Sequence, residues 1–304
     1  KQSIRNKYLR NFLVIDERLK GILLLLLAVF FFSTMDAVAK DLLSRYPPIQ
    51  VVWARFTSQA IVSLIIFSSQ ILIISRSDNL MVHILRSCLL FATTICFFYA
   101  LTFMQLSQVT AIFQTAPLII VFLSALFLGE KVQVKQWLCV CSGMFGAILI
   151  IRPDLPVFSI TMILPVGASI CFAIFSILTR KLGQEKSPYT SFLYTALIGA
   201  VISSCLVYPS WVPVIMEDIV TFCFFGLLGG AGHFLLILAY RRSQASILAP
   251  FIYSSLIFSL FWGIFLLREF PSFTTIMGGG IIVTSGIFML ITKPRELEKF
   301  SKAN

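Results

Sequence analysis

Hydrophobic residues occur along this chain in long runs, and most polar residues lie in the short stretches between the runs. Each run is close to the roughly 20 residues with which a helix crosses the apolar layer of a bilayer. Because the links are short, consecutive helices are expected to form antiparallel hairpins. Ten helices are predicted, over residues 20–43, 48–74, 80–103, 107–128, 134–151, 159–182, 188–209, 218–240, 244–267 and 272–291.

The composition indicates that these helices lie in lipid. Hydrophobic residues make up 58% of the chain and charged residues 12%, with a mean hydropathy of +0.94. A soluble domain carries about 25% charged residues, so this chain has too few to cover a water-exposed surface. The lipid bilayer is therefore the first expected partner.

The positive charges are distributed unevenly between the two predicted sides of the membrane. Nineteen of the 24 Lys and Arg residues lie in the N-terminus, in the links after the second, fourth, sixth and eighth segments, and in the C-terminus; four lie in the other links. Since cytoplasmic loops are enriched in Lys and Arg, both termini are predicted to be cytoplasmic. The net charge of +11 is thus explained by membrane topology, and no nucleic-acid partner is expected.

An internal repeat divides the chain into two halves. Residues 100–130 and 239–269 share a short polar turn, an apolar helix and a closing glutamate, with Gln105, Ser107 and Glu130 matched by Gln244, Ser246 and Glu269. Five helices per half is an odd number, so the halves cross the membrane in opposite senses, as in many secondary transporters. The predicted divisions are a basic cytoplasmic N-terminus (1–19), a first repeat (20–151), a link (152–158), a second repeat (159–291) and a cytoplasmic tail (292–304).

One pattern in the first repeat carries a family resemblance. The pattern A-L-x5-S-x3-A…P…L-G-E is formed by Ala100-Leu101, Ser107, Ala111, Pro117 and Leu128-Gly129-Glu130. With ten helices in two five-helix halves, it resembles the EamA branch of the drug/metabolite transporter superfamily. The second copy is weaker and consists of Ala239, Ser246, Ala249-Pro250 and Leu267-Arg268-Glu269. The resemblance implies an all-α membrane protein that transports a small organic metabolite.

Two groups within this superfamily have local likeness to the chain. Resemblance to the S-adenosylmethionine uptake group is carried by VHILRSCLLF from Val82 and APFIYSSLIFSLFWGIFLLREFP from Ala249. Resemblance to riboflavin uptake members is carried by MDAVAKDLLSRYPPIQ in and after the first segment. Neither stretch specifies the transported molecule.

Three charged residues lie at comparable depth in the predicted outer half of the membrane. Asp36 and Lys40 are one helical turn apart in the first segment, and Arg55 is in the second. A charge at the centre of a membrane helix costs about 2.5–3.5 kcal/mol on insertion scales, so these groups should face water or each other. Two interpretations are open: a structural pair of Asp36 with Lys40 or Arg55, or a site in which Arg55 or Lys40 holds a carboxylate and Asp36 holds a cation or a proton.

Other polar residues in the segments are also candidates for substrate binding or coupling. Gln114 and Tyr253 occupy equivalent repeat positions, with Ser254 beside Tyr253, and they are expected to line a central cavity or to bond neighbouring helices. His233 in the eighth segment is either a packed neutral histidine or a proton relay. Glu130 and Glu269 close their repeats at opposite membrane faces, where they are expected to cap helices or pair with bases, and they are candidates for gating.

The predicted function is secondary-active transport of a cofactor-like or amino-acid-like metabolite across the inner membrane, with S-adenosylmethionine as one candidate substrate. Amino-acid or metabolite efflux and riboflavin uptake are alternatives on the same fold; a membrane scaffold or intramembrane enzyme is a remote one. The segments hold no nucleotide-binding or hydrolase motif, so the protein is not expected to be an enzyme. Neither a cofactor nor a metal is expected, proton coupling is one option, and a homodimer is another. Small-x3-small patterns, such as Gly226-x3-Gly230, are expected to pack helices within the chain.

Overall fold

The computed structural model of the chain describes residues 2–67, 79–151, 162–183, 187–268 and 273–291, and within these ranges it contains helices but no β-strand. We number the α-helices in chain order. The first half contains α1 (Gln2–Leu42), α2 (Pro48–Phe67), α3 (Leu80–Phe103), α4 (Leu106–Phe113), α5 (Ala116–Phe127) and α6 (Val134–Ile151). The second half contains α7 (Ile163–Leu182), α8 (Pro188–Val207), α9 (Met216–Arg242), α10 (Ala245–Ile252), α11 (Ser254–Phe265) and α12 (Phe273–Ile291).

These helices form a multi-pass membrane protein. In the described residues, eight helical stretches are long and apolar enough to cross a bilayer, with α4–α5 and α10–α11 each counted as one stretch. Shorter apolar helices over Val134–Leu149 and Ile276–Met289 lie at the fifth and tenth predicted segments. The helix α1 begins at Gln2 instead of residue 20, because Lys, Arg and Leu favour a helix whether or not the segment is apolar.

The predicted fourth and ninth segments are each broken into two helices. Pro117 lies in the first turn of α5, and Pro250 lies inside α10, shortly before the second break. Proline lacks the N–H group and clashes with the carbonyl four residues earlier, which for Pro117 is that of Phe113, the last residue of α4. The interruption is two residues long in the fourth segment, at 114 and 115, and one residue long in the ninth, at Tyr253. The bounds of α10 are those of α4 moved by 139 positions, so both halves break at the same place.

The packing of the helices has the symmetry of the repeat. The most extensive contact joins α1 to α9, and the equivalent contact with the halves exchanged joins α3 to α7. The other large contacts, α2 with α8 and α6 with α12, join helices at equivalent positions. Exchanging the two halves therefore leaves the pattern of the large contacts unchanged. Because each of these contacts joins a helix of one half to a helix of the other, the core lies along the interface between the halves.

Close helix contacts depend on glycine at several of these interfaces. A Cβ atom on Gly226 would lie 2.0 Å from the Ser58 Cβ atom, and one on Gly199 would lie 2.3 Å from the Phe56 ring. A Cβ atom on Gly146 would lie 2.7 Å from the Gly278 carbonyl oxygen. The small-residue patterns thus face helices of the same chain, as the sequence predicts.

Arg86, one of the nineteen Lys and Arg residues counted in the termini and predicted cytoplasmic links, lies inside a helix. Arg86 was counted with the link after the second segment, but it is in α3, and the structure buries it completely. Its partners, described below, explain how a charged side chain is accommodated there. Moving one arginine out of nineteen leaves the charge bias, and the orientation expected from it, essentially unchanged.

Candidate functional site

A cavity lies between the two halves of the protein. Its empty volume is about 640 Å³, open space at its mouth included. It is lined by residues of α1, α2, α3 and α4 from the first half and of α7, α10 and α11 from the second. Much of the wall is aromatic, formed by Phe32, Phe97, Phe98, Phe113 and Phe172.

Asp36 and Arg55 are the two charged residues in the cavity wall. Among the residues that the structure describes, no side chain or backbone group donates a hydrogen bond to the Asp36 carboxylate, and its electrostatic partner is Arg55. The two groups are not within ion-pair distance of each other. A negative and a positive group therefore share one cavity without neutralising each other by direct contact.

Arg55 is held in place but is not fully hydrogen-bonded. Only 5% of its surface is exposed, and its Nη1 donates a 2.6 Å hydrogen bond to Thr94 Oγ1. Its Nε is buried and has no hydrogen-bond partner in the described part of the chain. The guanidinium carbon is 5.7 Å from the Phe32 ring centroid and 5.3 Å from that of Phe56, within cation–π range. Arg55 is therefore held in the wall of the cavity and is only partly hydrogen-bonded within the described part of the chain.

Space for Arg55 is provided by Gly229 of α9. A Cβ atom at this position would lie 3.2 Å from Arg55 Cγ and 2.9 Å from Met35 Sδ. Both distances are tighter than ordinary van der Waals contacts. The glycine therefore permits the conformation that brings the Arg55 guanidinium to the cavity wall.

Hydroxyl groups add polar contacts to the wall, and sequence reasoning missed three of them. Thr93, Thr94 and Thr110 line the cavity, and each donates to a carbonyl four residues earlier at 2.8 Å. This leaves oxygen lone pairs free to accept hydrogen bonds. The three residues lie in apolar segments and gave no sequence signal beyond being threonines.

Lys40 lies outside the cavity lining. Its Nζ donates hydrogen bonds to the carbonyl oxygens of Leu101 and Met104, at 2.5 and 2.8 Å. These carbonyls end α3, where the helix dipole is negative and carbonyls have no helical partner. In the second half, Arg180 donates in the same way to the carbonyl oxygen of Tyr240, at 2.7 Å. Lys40 thus occupies a helix-capping position that the repeat uses twice.

Gln114, Tyr253 and Ser254 are also outside the lining, and Gln114 and Tyr253 hydrogen-bond to residues of other helices, which is the second of the two arrangements expected for them. Gln114 Nε2 donates to Ser255 Oγ at 2.6 Å, and Ser255 itself lines the cavity. The Tyr253 hydroxyl donates to the Val140 carbonyl at 3.0 Å, and Ser254 Oγ donates to the Phe251 carbonyl at 2.7 Å. Gln114 and Tyr253 are each at a helix break. The turn at the break directs their side chains into the helix interface instead of the cavity.

His233 is buried between two polar side chains behind the cavity. Its Nδ1 lies 2.8 Å from the Gln59 amide, and its Nε2 lies 3.0 Å from Arg86 Nη2. It does not line the cavity. Sequence reasoning did not select Arg86 or Gln59, and the available signal was an arginine inside an apolar run.

Glu130 joins the two halves at one end of the interface. Its carboxylate accepts hydrogen bonds from the backbone N–H groups of Ala245 and Ser246, both at 3.0 Å, and from Ser246 Oγ at 2.7 Å. Arg180 Nε is 3.6 Å away. Glu130 therefore caps the N-terminus of α10. The equivalent glutamate, Glu269, lies outside the described residues.

Two repeated halves that enclose a cavity with polar and charged groups are found in many secondary transporters. The chain belongs to the EamA-like transporter family, whose model matches it twice, over residues 19–152 and 159–292. The two matches correspond to the two halves of the structure.

Curated relatives cover most of the chain at modest identity. An S-adenosylmethionine uptake transporter of Rickettsia bellii is 28% identical over 92% of this chain and 96% of its own. A pseudopaline exporter of Pseudomonas aeruginosa is 24% identical over 92% and 99%. A riboflavin transporter of Vibrio cholerae is 28% identical over 68% and 70%. A solved crystal structure has the same fold, with a TM-score of 0.74 at 18% identity over 88% of this chain and 95% of that one.

Proposed function

We propose that this protein is a secondary-active transporter of the inner membrane that moves a small zwitterionic metabolite, with S-adenosylmethionine as the first candidate. The observation that carries the proposal is the pair of opposite charges, Asp36 and Arg55, which line one aromatic cavity without being in ion-pair contact. Ten helices with both termini in the cytoplasm, as the charge bias indicates, complete the proposed topology.

The chemistry of the cavity suits a molecule with separated charges. The Arg55 guanidinium would hold the substrate carboxylate, and Asp36 would hold a cationic group. S-adenosylmethionine has a carboxylate, an amino group, a sulfonium cation and a flat purine. Its purine would stack on the phenylalanine rings, and its sulfonium would lie near ring faces, which attract cations.

The names of the relatives agree with this class and leave the direction of transport open. The Rickettsia bellii relative is an uptake transporter by name, and the Pseudomonas aeruginosa relative is an exporter by name. Each alignment covers 92% of this chain. Efflux of an amino-acid-like metabolite is therefore the alternative. Riboflavin is a weaker candidate because it has no carboxylate for Arg55 and its named relative covers a smaller share of the chain.

The proposed mechanism is alternating access between the halves. Both broken helices reach the cavity, through Thr110 and Phe113 of α4, Ile252 of α10 and Ser255 of α11. A change in the angle between the halves would move these residues relative to Asp36 and Arg55, and so would expose the substrate to one side and then the other. Asp36 is also the candidate for coupling to protons, since it is the carboxyl group of the cavity wall.

Uptake into proteoliposomes of the purified protein tests the proposal. Labelled S-adenosylmethionine, riboflavin and an amino-acid mixture are compared with and without an imposed proton gradient. Saturable uptake of S-adenosylmethionine is expected, with KM increased at least about tenfold in Arg55→Met, because a charged hydrogen bond contributes roughly 1.5–3 kcal/mol. The control is Lys131→Met, which removes one exposed positive charge from a link.

The outcomes separate the candidates. Uptake of riboflavin alone would replace the proposed substrate by that alternative, and uptake of amino acids alone would favour the amino-acid class. Equal effects of Arg55→Met and Lys131→Met on KM would contradict the role of Arg55. A folded protein that transports none of the three would contradict the proposed substrate class.

A further inference from the structure

Arg86 is the centre of a buried hydrogen-bond network behind the cavity. It donates through Nε to Thr179 Oγ1 at 2.7 Å, and through Nη1 to the Ser191 carbonyl at 2.9 Å and to Thr195 Oγ1 at 2.7 Å. Its Nη2 is 3.0 Å from His233 Nε2. The guanidinium carbon lies 4.7 Å from the centroid of the Phe175 ring. The arginine is thus held on several sides at once.

The donor character of arginine determines the protonation of His233. A guanidinium can only donate hydrogen bonds, so His233 Nε2 must be the acceptor and must be without a proton. A neutral imidazole has one proton, which is then on Nδ1. His233 is therefore a neutral imidazole that accepts through Nε2 and donates through Nδ1.

The same reasoning determines the orientation of Gln59. The atom that lies 2.8 Å from His233 Nδ1 is the Gln59 amide nitrogen Nε2, and a half-turn of the amide exchanges its nitrogen and oxygen. Only the oxygen can accept the Nδ1 proton. With Nε2 against Nδ1, two N–H groups face each other and the buried Gln59 Oε1 has no partner among the described residues, so the half-turn that places Oε1 against Nδ1 satisfies both groups.

A second proton on His233 would disrupt this arrangement. It would place an N–H group against the Arg86 N–H group and so replace a hydrogen bond by a contact between two cations in the protein interior. The charged groups that act on His233 are the guanidinium groups of Arg86 and Arg55; the rings of Phe175 and Phe192 complete its surroundings. Among the described residues, no carboxylate forms an ion pair with His233 that could compensate the added charge.

The network also joins the two halves. Gln59 is in α2 and Arg86 in α3, both in the first half, whereas His233 is in α9 of the second half. Thr179, Ser191 and Thr195, to which Arg86 also donates, belong to α7 and α8 of the second half. Both ring nitrogens of His233 therefore contact side chains of the opposite half.

We propose that His233 is a positioning residue that stays neutral throughout the transport cycle, holds Arg86 and Gln59 in one network across the halves, and does not carry a coupling proton. Its part in transport rests on the proposed function; its protonation does not. The coupling proton, where there is one, then belongs to another group.

Nitrogen NMR tests the protonation without any substrate. The chain has two histidines, so selective ¹⁵N-histidine labelling of the whole protein gives two sets of ring signals, and His233→Gln removes one set and so assigns it. We expect a protonated Nδ1 and a bare Nε2 that do not change between about pH 5 and 8, the range in which an ordinary histidine titrates. A protonated Nε2, or titration of His233 in this range, would overturn the proposal.

Transport measurements on two variants, His233→Gln and His233→Phe, test the positioning role of His233. The oxygen of His233→Gln can accept from Arg86, so its kcat/KM should fall by less than about threefold, with an unchanged pH profile. His233→Phe has no acceptor and should lose at least about tenfold, since a buried group without its partner costs roughly 1–3 kcal/mol. A flattened pH profile in His233→Gln, or equal losses in the two variants, would contradict the proposal. If the wild-type protein transports no tested substrate, the proposed function fails while the NMR result still decides the protonation of His233.

Discussion

Gly129 and Arg268 occupy equivalent positions in the two halves and have the same left-handed backbone, with φ of 62° and 57°. Each follows the last helix of its broken segment, where the chain reverses. Glycine adopts this conformation without cost, whereas another L-residue loses roughly 1–2 kcal/mol there. Arg268 stands where the Leu-Gly-Glu pattern has glycine. Its backbone therefore keeps the conformation that the glycine has in the first half.

We expect Arg268→Gly to stabilise the protein. Removing the left-handed strain gains about 1–2 kcal/mol, and the added freedom of the unfolded chain takes back about 0.4–1 kcal/mol. The apparent melting temperature in detergent should therefore rise by about 1–3 °C. The converse change, Gly129→Ala, should lower it, although a Cβ atom at Gly129 would meet nothing within 4 Å. Gly280→Ala is the control, because it is equally open but lies inside α12 with ordinary helical geometry; an equal decrease there would refute the strain.

Replacing Glu130 by glutamine should weaken the contact between the halves. The carboxylate accepts three hydrogen bonds from the start of α10, and the amide nitrogen of glutamine cannot accept. Hydrogen bonds to a charged group contribute roughly 1.5–3 kcal/mol, so we expect a loss of about 1–3 kcal/mol. Thermal unfolding followed by circular dichroism would measure it. Glu217→Gln changes an exposed glutamate in the first turn of α9 and should have little effect; a similar loss in both variants would mean that capping by Glu130 is not the cause.

Substitution of Asp36 by asparagine should flatten the pH dependence of transport while the protein remains folded. The carboxyl group lines the cavity without a hydrogen-bond partner in the described residues, and an amide in its place cannot bind or release a proton. Transport rates across a pH series in proteoliposomes, with and without a proton gradient, would show the change. The matched control is Asp41→Asn, an exposed carboxylate 2.7 Å from Arg45 Nη2, which should keep the wild-type profile. An unchanged profile in Asp36→Asn would exclude Asp36 as the coupling residue.

Alanine at Gly226 should separate α9 from α2. The new Cβ atom would lie 2.0 Å from the Ser58 Cβ atom, and overpacking of this kind costs about 1–3 kcal/mol. Ser58→Gly removes the opposing atom, so the double variant should recover part of the melting temperature lost by Gly226→Ala. Absence of recovery would show that the loss arises elsewhere. Because Gly226 faces a helix of the same chain, cross-linking should detect no change in oligomeric state.

Much of the architecture could be predicted from the sequence because its signals are local or periodic. The hydropathy of successive segments marks each helix, and the recurrence of Gln105, Ser107 and Glu130 at 139 residues marks the repeat. Proline chemistry indicates where the fourth and ninth segments deviate. The cost of charge in lipid indicates that Asp36 and Arg55 must meet water or polar groups, and both line the cavity. Their binding roles stay predictions.

The direction in which each polar side chain points was decided only by the tertiary structure. Arg55 and Arg86 are both arginines inside apolar helices, yet Arg55 lines the cavity, whereas Arg86 lies within hydrogen-bond distance of Thr179, Thr195 and His233 on three other helices. The length of its side chain lets Lys40 reach the end of α3, and the helix break turns Gln114 away from the cavity. Rotation of a helix about its axis depends on which neighbours it packs against, and those neighbours are distant in sequence. A one-dimensional pattern therefore specifies that a polar residue must be satisfied in the membrane, and the packing of the halves selects the group that satisfies it.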